Sequence, residues 1–264
     1  MKVGVVGVGV VGDAVRRGFE DLSHDVKIHD IRLDTKIQDV LETELCFLCV
    51  PTPSRDSGEC NTDIVEQVIH QLLEMNYEGL ICIKSTVTPG TTKRLQERFD
   101  TENICFVPEF LRERCAYEDF VKNHDLCAIG VNNADQFELI KEAHGQLPEN
   151  FARLSVTEAE FCKYYNNVYN ATLVTLANSF YELCVQQDAD YTKIKDTMTL
   201  RNQINGKYLD CNPDLRGFGG MCLPKDTRAM AYLAKDTVVE FFDCLINENS
   251  KYKVTVFDGM RGEE

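Results

Sequence analysis

The first apolar run, residues 2–6, alternates too little for a half-exposed strand and predicts a buried parallel one, with a segment of helical character following it to Phe19. Further short apolar runs at 26–29, 45–50, 80–83 and 104–107 read as strands of the same kind. Between the third and fourth strands, Thr62 stands at a cap position before Val65, Val68, Ile69, Leu72 and Leu73, which recur at helical spacing. Strands alternating with helices predict an α/β domain built on a Rossmann-type parallel sheet over residues 1–154.

The pattern changes after about Leu154. Thr157-Glu158-Ala159-Glu160 reads as a capping box with Thr157 as the cap. No proline or glycine follows until well past Gln187, which allows one helix of about 45 Å at about 1.5 Å per residue. A helix this long links domains or packs on a partner subunit, and its apolar positions Tyr165, Val168, Thr172, Leu176 and Phe180 predict a homodimer. Lys163 and Asn167 stand four apart on it and project from one face. Asn166, Asn167, Asn170 and Asn178 are weak helix formers whose number hints at polar work. Helical runs are expected again from near Asp190 and over 229–246. The expected plan is a mostly helical central domain over 155–248, containing the long helix, and a tail over 249–264.

Composition adds bounds. A chain of 264 residues, 44% of them apolar, buries a real core and is long for one domain. No apolar run reaches membrane-spanning length, and Met1 leads straight into a strand pattern, so no signal peptide is expected. Twelve cysteines without framework spacing point to a reducing cytoplasm. Cys46 and Cys49 form a C-x-x-C on paper, but a strand would send them to opposite faces, so core packing is the expected role. The net charge of −15, with no basic run, argues against nucleic acid and anionic membrane.

Candidate chemistry lies where strands end. Gly7-Val8-Gly9-Val10-Val11-Gly12 is a dinucleotide fingerprint between strand and helix, and Asp30 closes the second strand at the distance where a carboxylate takes ribose hydroxyls. That acid favours NAD over NADP, and neighbouring Arg32 is expected to be a solvated loop residue. Val50, Pro51, Thr52 and Pro53 end the third strand, and Ser85, Thr86 and Val87 follow the fourth. Pro108, Glu109, Phe110, Leu111, Arg112 and Glu113 follow the fifth, where an acid can serve as a general base. The string Gly217-Phe218-Gly219-Gly220-Met221-Cys222-Leu223-Pro224-Lys225-Asp226 combines close backbone approach with a thiol, an ammonium and a carboxylate. Taken alone, Cys222 also reads as a buried cysteine in a Gly-Pro turn.

Six stretches in order, 7–12, 50–53, 85–87, 108–111, 159–167 and 217–226, resemble the motif series of the UDP-glucose/GDP-mannose (nucleotide-sugar) 6-dehydrogenases. The resemblance implies NAD-dependent oxidation of a sugar primary alcohol in two steps through a thioester, with no metal. It implies Cys222 as nucleophile, Lys163 and Asn167 as oxyanion holders, Glu109 as the hydrolytic base, and Thr86 and Asp226 as water-placing groups. The cofactor set would be Gly7 to Gly12, Asp30, Val50, Pro51, Thr52, Thr86, Glu113 and Lys225. The sugar set would be Glu109, Phe110, Leu111, Arg112, Lys163, Asn167, Tyr208, Gly217, Phe218 and Gly219. The substrate would be UDP-glucose, GDP-mannose or another nucleotide sugar.

Several features depart from the family pattern. Met221 replaces a small polar residue, 209–216 is longer than usual, and 30–45 is abbreviated, so the sheet is expected to lack a strand there. Family members continue into a second nucleotide-binding-like domain. Residues 253–257 resemble its first strand with nothing to pair with. Three readings stay open: a truncated active 6-dehydrogenase, a single-step 3-hydroxyacid-type dehydrogenase, and an idle NAD-binding partner of a full-length enzyme.

Overall fold

The computed structural model describes residues 1–255, which divide into two compact units: residues 1–53 with 60–163, and residues 54–59 with those from 164 onward. Val256 and Phe257 of the strand-like tail lie outside the described residues.

The first unit is a seven-stranded sheet of β1 (Lys2–Val6), β2 (Asp25–His29), β3 (Leu45–Leu48), β4 (Leu80–Ile83), β5 (Ile104–Phe106), β6 (Leu126–Gly130) and β7 (Asn150–Leu154), in the order β2-β1-β3-β4-β5-β6-β7. Its helices are α1 (Val10–Asp21), α2 (Asp63–Glu74), α3 (Thr91–Phe99), α4 (Ala116–Val121) and α5 (Ala134–His144). Every residue of β3, β4 and β5 is buried, which is why these strands read as unbroken apolar runs. Val3, Val5, Phe47 and Cys82 pack on one face with Phe19 and Phe120, while Leu48, Ile81, Ile83 and Phe106 pack on the other with Ile69 and Leu72.

The sheet is not wholly parallel: β6 runs antiparallel to β5 and parallel to β7. Neither β6 nor β7 stood out in the sequence, because β6 ends in glycine and β7 is a half-exposed edge carrying polar residues. Between β2 and β3 the chain makes a 3₁₀ turn at Ile37–Val40 in place of a strand, leaving β2 at the sheet edge. Thr62 occupies the cap position of α2, but its hydroxyl donates to Glu66 at 2.9 Å instead of capping the backbone.

Helix α6 (Val156–Gln186) is the expected long helix, 31 residues starting in the first unit and ending in the second. Its capping box lies two residues earlier than the sequence suggests: Ser155 N donates to Glu158 Oε2 at 2.8 Å and Glu158 N donates to Ser155 Oγ at 3.3 Å. Glu160 is thereby released for another task. Fully buried, it accepts from Gly90 N at 2.6 Å and from Thr92 N and Oγ1 at 2.7 and 2.6 Å, so it caps α3 from a distant part of the chain. Burial raises its carboxyl against these hydrogen bonds.

The second unit adds α7 (Tyr191–Met198), α8 (Leu223–Ala234) and α9 (Phe241–Asn249). The single run expected at 229–246 is therefore two helices, parted where Thr237-Val238-Val239 crowds a helical backbone and the Thr237 hydroxyl turns back to Ala234 O at 2.7 Å. Tyr164, Val168, Ala229, Met230 and Leu245 form one small core, and Ala177, Cys184, Tyr191, Leu209 and Cys211 another. Val168 is thus covered within its own unit, whereas Tyr165, Tyr169, Leu176, Phe180 and Leu183 stay exposed along α6.

Two histidines of the first unit make its stability depend on pH. His144 is fully buried beside Phe19 and Phe47, with ring centroids 5.2 and 5.7 Å apart, and its Nε2 has no partner among the described residues. Burial, then the nearby Lys84 ammonium, holds His144 well below its usual value and His124 at about 4. Both are neutral in the folded unit, while the unfolded chain takes up a proton below about pH 6.5. Stability should therefore be intact above about 6.5 and fall as pH drops towards 4, by about 1.4 kcal/mol per pH unit for each histidine. Urea titrations between pH 7 and 4.5 should show this slope, and His124→Gln should remove about one proton of it; an unchanged slope in that variant would contradict the assignment.

Candidate active site

The carboxyl ends of β2, β1, β3, β4 and β5 lie along one edge of the first unit's sheet, and the strand order reverses between β1 and β3. At such a crevice a dinucleotide meets a helix N-terminus. Gly7 has φ +88° and its N–H donates to His29 O at 2.8 Å, so the turn needs a residue that tolerates the left-handed region. A Cβ at Gly12 would stand 1.8 Å from Gly7 O, whereas one at Gly9 would meet nothing within 4 Å. One glycine thus lets α1 press on the loop, and the other leaves an open face for a pyrophosphate. These residues fit NAD, and Gly7 to Gly12, with Val10 opening α1, would hold its phosphates.

Asp30, only 6% exposed, accepts from Val8 N at 2.7 Å and so sets the loop. Arg32 is exposed, as expected from the sequence, with 69% of its side chain accessible, and its Nε and Nη2 also donate to the two oxygens of Asp30 at 3.1 and 3.0 Å. That guanidinium, with the backbone donors, holds Asp30 far below the usual carboxylate range. Val50, Pro51 and Thr52 follow β3, which stops at Leu48 because the chain turns beneath the glycine loop and prolines then remove ladder donors. Cys49 lies there with its carbonyl against Gly7, and burial pushes its thiol up to about 12. Thr86 is half-buried past β4, and its carbonyl accepts from Cys60 Sγ at 3.3 Å.

Glu109, just past β5, meets Lys163 of α6. The lysine Nζ donates to Glu109 Oε1 at 2.7 Å and to its carbonyl at 2.8 Å, with side chains 5% and 11% exposed. Glu109 Oε2 accepts from Leu111 N at 2.7 Å. Lys84, buried at the end of β4, donates to the carbonyls of Val107 and Pro108 at 3.3 and 3.4 Å. The sequence offered one clue to it, an ammonium placed directly after a buried strand. A cavity of about 20 Å³, room for one water, lies between Lys84, Glu109 and His124. Phe110 and Leu111 line it, while Arg112 turns away to a fork on buried Asp119 at 2.7 and 2.9 Å, and Glu113 is exposed.

The second unit holds the cysteine loop. Of twelve cysteines only Cys222 and Cys244 are exposed, and Cys222 is the N-cap of α8. Asp226, 1% exposed, accepts from Asn167 Nδ2 at 2.5 Å and from Lys225 Nζ at 2.6 Å. Met221 is exposed beside the thiol, Phe218 is buried, and Tyr208 takes φ +64° and is 40% exposed. The tail is not without a partner: Thr255 N donates to Arg216 O at 3.0 Å and Thr255 Oγ1 accepts from Arg216 N at 2.9 Å. The predicted residues therefore gather in two sets, Lys163 with Glu109 in the first unit and Asn167, Lys225 and Asp226 with the Cys222 loop in the second.

The first unit defines a dinucleotide-binding dehydrogenase fold. Residues 29–148 match the NAD binding domain, and residues 157–250 the central domain, of the UDP-glucose/GDP-mannose dehydrogenase family. The chain belongs to that family, and NAD is the cofactor its first domain takes. It is similar to the UDP-glucose 6-dehydrogenase of Rickettsia bellii, 33% identical over 81% of this chain and 51% of that protein. It is also similar to the GDP-mannose 6-dehydrogenase of Azotobacter vinelandii, 29% identical over 90% of this chain and 58% of that protein. A UDP-glucose dehydrogenase structure from Pyrobaculum islandicum superposes with a TM-score of 0.86 at 25% identity, covering 95% of this chain and 68% of that one. The chain thus spans about half the length of the curated relatives it matches.

The Lys163–Glu109 pair gives a direct test of the site's electrostatics. Removing one member leaves the other's charge buried, so Lys163→Met should cost about 3–5 kcal/mol. Combining it with Glu109→Gln should restore a large part of that loss, because no unpaired charge remains. Urea denaturation of the two single variants and the double variant at pH 7 checks this, and additive losses would show that the two groups do not couple.

Proposed function

We propose that the protein oxidises the primary alcohol of a nucleotide sugar to the carboxylate in two steps through a thioester on Cys222. The observation that carries this reading is the exposed Cys222 at the N-cap of α8, beside a buried Asp226 tied to Asn167 and Lys225. NAD, when bound, would accept one hydride in each oxidation, two molecules in turn. Cys222 thiolate adds to the carbon of the intermediate aldehyde, and the positive end of α8 favours the anionic sulfur. Lys163 and Asn167, one turn apart on α6, donate to the oxygen on which negative charge develops. After the second oxidation Glu109 takes a proton from the attacking water, with Thr86 and Asp226 placing that water, and the C–S bond breaks to return the thiol. Its ion pair with Lys163, at 2.7 Å, holds the Glu109 side chain in place just past β5.

In this reading Asp30, Val50, Pro51, Thr52, Thr86, Glu113 and Lys225 join the glycine loop in holding NAD, and Asp30 disfavours a 2′-phosphate. Phe110, Leu111, Arg112, Tyr208 and Gly217 to Gly219 line the sugar site. UDP-glucose is the first substrate to try and GDP-mannose the second. We place the protein in the cytoplasm; no helix among the described residues is long and apolar enough to cross a membrane.

Intact-mass spectrometry tests the chemistry. Glu109→Gln, incubated with NAD and the right nucleotide sugar at high concentration, should accumulate an acyl adduct that is absent from Cys222→Ala, and Cys222→Ser should stall after the first hydride transfer. One NADH per substrate, with Cys222→Ala as fast as wild type, would instead support a single-step 3-hydroxyacid-type dehydrogenase. NAD binding without turnover of any sugar would support an idle partner.

The exposed stripe Tyr165, Tyr169, Leu176, Phe180 and Leu183 on α6 supports a homodimer, since contiguous apolar side chains on a helix call for a covering surface. Light scattering at micromolar concentration should give twice the chain mass, and Leu176→Glu with Phe180→Glu should halve it. A monomeric wild type would remove the dimer.

A further inference from the structure

Asn178 is given no work by the chemistry above, although it is 1% exposed on α6. Its Nδ2 donates one turn back to Val174 O at 2.9 Å, which leaves Oδ1 for longer-range contacts. That oxygen accepts from Arg216 Nε at 2.8 Å and from Gly217 N at 3.2 Å. Asn249, the last residue of α9, takes the next residue of the loop: its Oδ1 accepts from Phe218 N at 2.7 Å and its Nδ2 donates to Phe218 O at 3.0 Å. Two side-chain amides, from two helices, therefore hold three consecutive residues, 216–218, that precede the glycine turn leading to the thiol.

The hold is stiffened around Arg216. Its guanidinium lies 4.9 Å from the ring centroids of both Tyr181 and Tyr252 and pairs with Glu182. Downstream, Asp226 N donates to Cys222 O at 2.9 Å while the Asp226 carboxylate is held by Asn167. The stretch 218–222 is anchored at both ends, and the thiol lies within it. Glycine backbone between the anchors is entropically loose, so the anchors must supply its order.

We propose that Asn178 and Asn249 are positioning residues that hold the glycine loop so that Cys222 is presented in one geometry. This rests on the reading of Cys222 as the nucleophile. The two asparagines act through different atoms, and that sets the test. Asn178 serves the loop only as an acceptor, so Asn178→Asp keeps both loop contacts and adds a charge beside Arg216, giving up only the bond within α6 to Val174 O. Asn249 serves as acceptor and donor, so Asn249→Asp loses one bond and turns a carboxylate oxygen towards Phe218 O.

In the full chain, amide exchange over 216–221 and iodoacetamide labelling of Cys222, with Cys244 as internal standard, can be followed by peptide mass spectrometry without substrate. Asn178→Leu, Asn249→Leu and Asn249→Asp should each speed exchange at Gly217 and Phe218 about tenfold or more. They should also lower the Cys222-to-Cys244 labelling ratio about threefold. Asn178→Asp should keep the loop protected. Asn249 is half-buried at a helix end, so its variants keep the test open if a change at Asn178 prevents folding. Unmoved exchange and labelling in folded Leu variants, or Asp variants that behave alike at the two positions, would overturn the proposal. Because both readouts need no turnover, they are separable from the chemistry: an active Cys222→Ala would sink the thioester reading and leave these loop measurements standing.

Discussion

A buried ammonium is stable only where oxygens replace its hydration shell, and that requirement governs how the first unit is closed. Lys163 finds those oxygens on Glu109, taking both its carboxylate and its carbonyl. The start of α6 is thereby fixed to the end of β5. Lys84 imposes the same demand on the two carbonyls before Glu109, so the peptide groups of 107–109 are fixed by two lysines from different elements. Glu160, three residues before Lys163, adds an anion at the N-terminus of α3. These contacts and the Ser155–Glu158 capping box together fix where α6 starts. The position of Lys163 is a consequence of charge accounting inside the sheet domain as much as of helix propensity.

The most plainly legible strands were β3, β4 and β5, buried along their whole length. Residues 80–83 form a strand as read, because no polar residue interrupts the run, and the dinucleotide loop was legible because its glycines are demanded by backbone geometry. The strand β6, although largely buried, ends in glycine, and β7 is a half-exposed edge, so both carried a weaker pattern. The capping box of α6 was displaced because two overlapping Ser/Thr-x-x-Glu patterns, from Ser155 and from Thr157, compete. Sequence spacing is satisfied by either, and only the needs of α3 decide where Glu160 goes.

The candidate site was legible as residue types and hidden as partnerships. Cys222, Lys163, Asn167 and Glu109 could be named from the chain alone, but nothing in the order of residues says that Glu109 is already paired, or that Asp226 is almost wholly buried. Asn249 had no local signal, being one polar residue near the end of a short helix. Its importance exists only because the loop folds back to it. Arg32 is as exposed as its place in the sequence suggests, yet it also forks onto the acid that sets the glycine turn, a partnership that spacing does not reveal.

Residues 54–59 group with the second unit while their neighbours on both sides group with the first. The chain thus changes units at 53/54, 59/60 and 163/164, three times instead of once. No single break separates the two cleanly: a cut at 163/164 keeps every residue of the first unit but leaves 54–59 of the second attached to it. A recombination event or a protease acting at one point would strand a piece of one unit on the other. The two units are therefore interleaved in their covalent layout, and an exact copy of either one requires more than one cut.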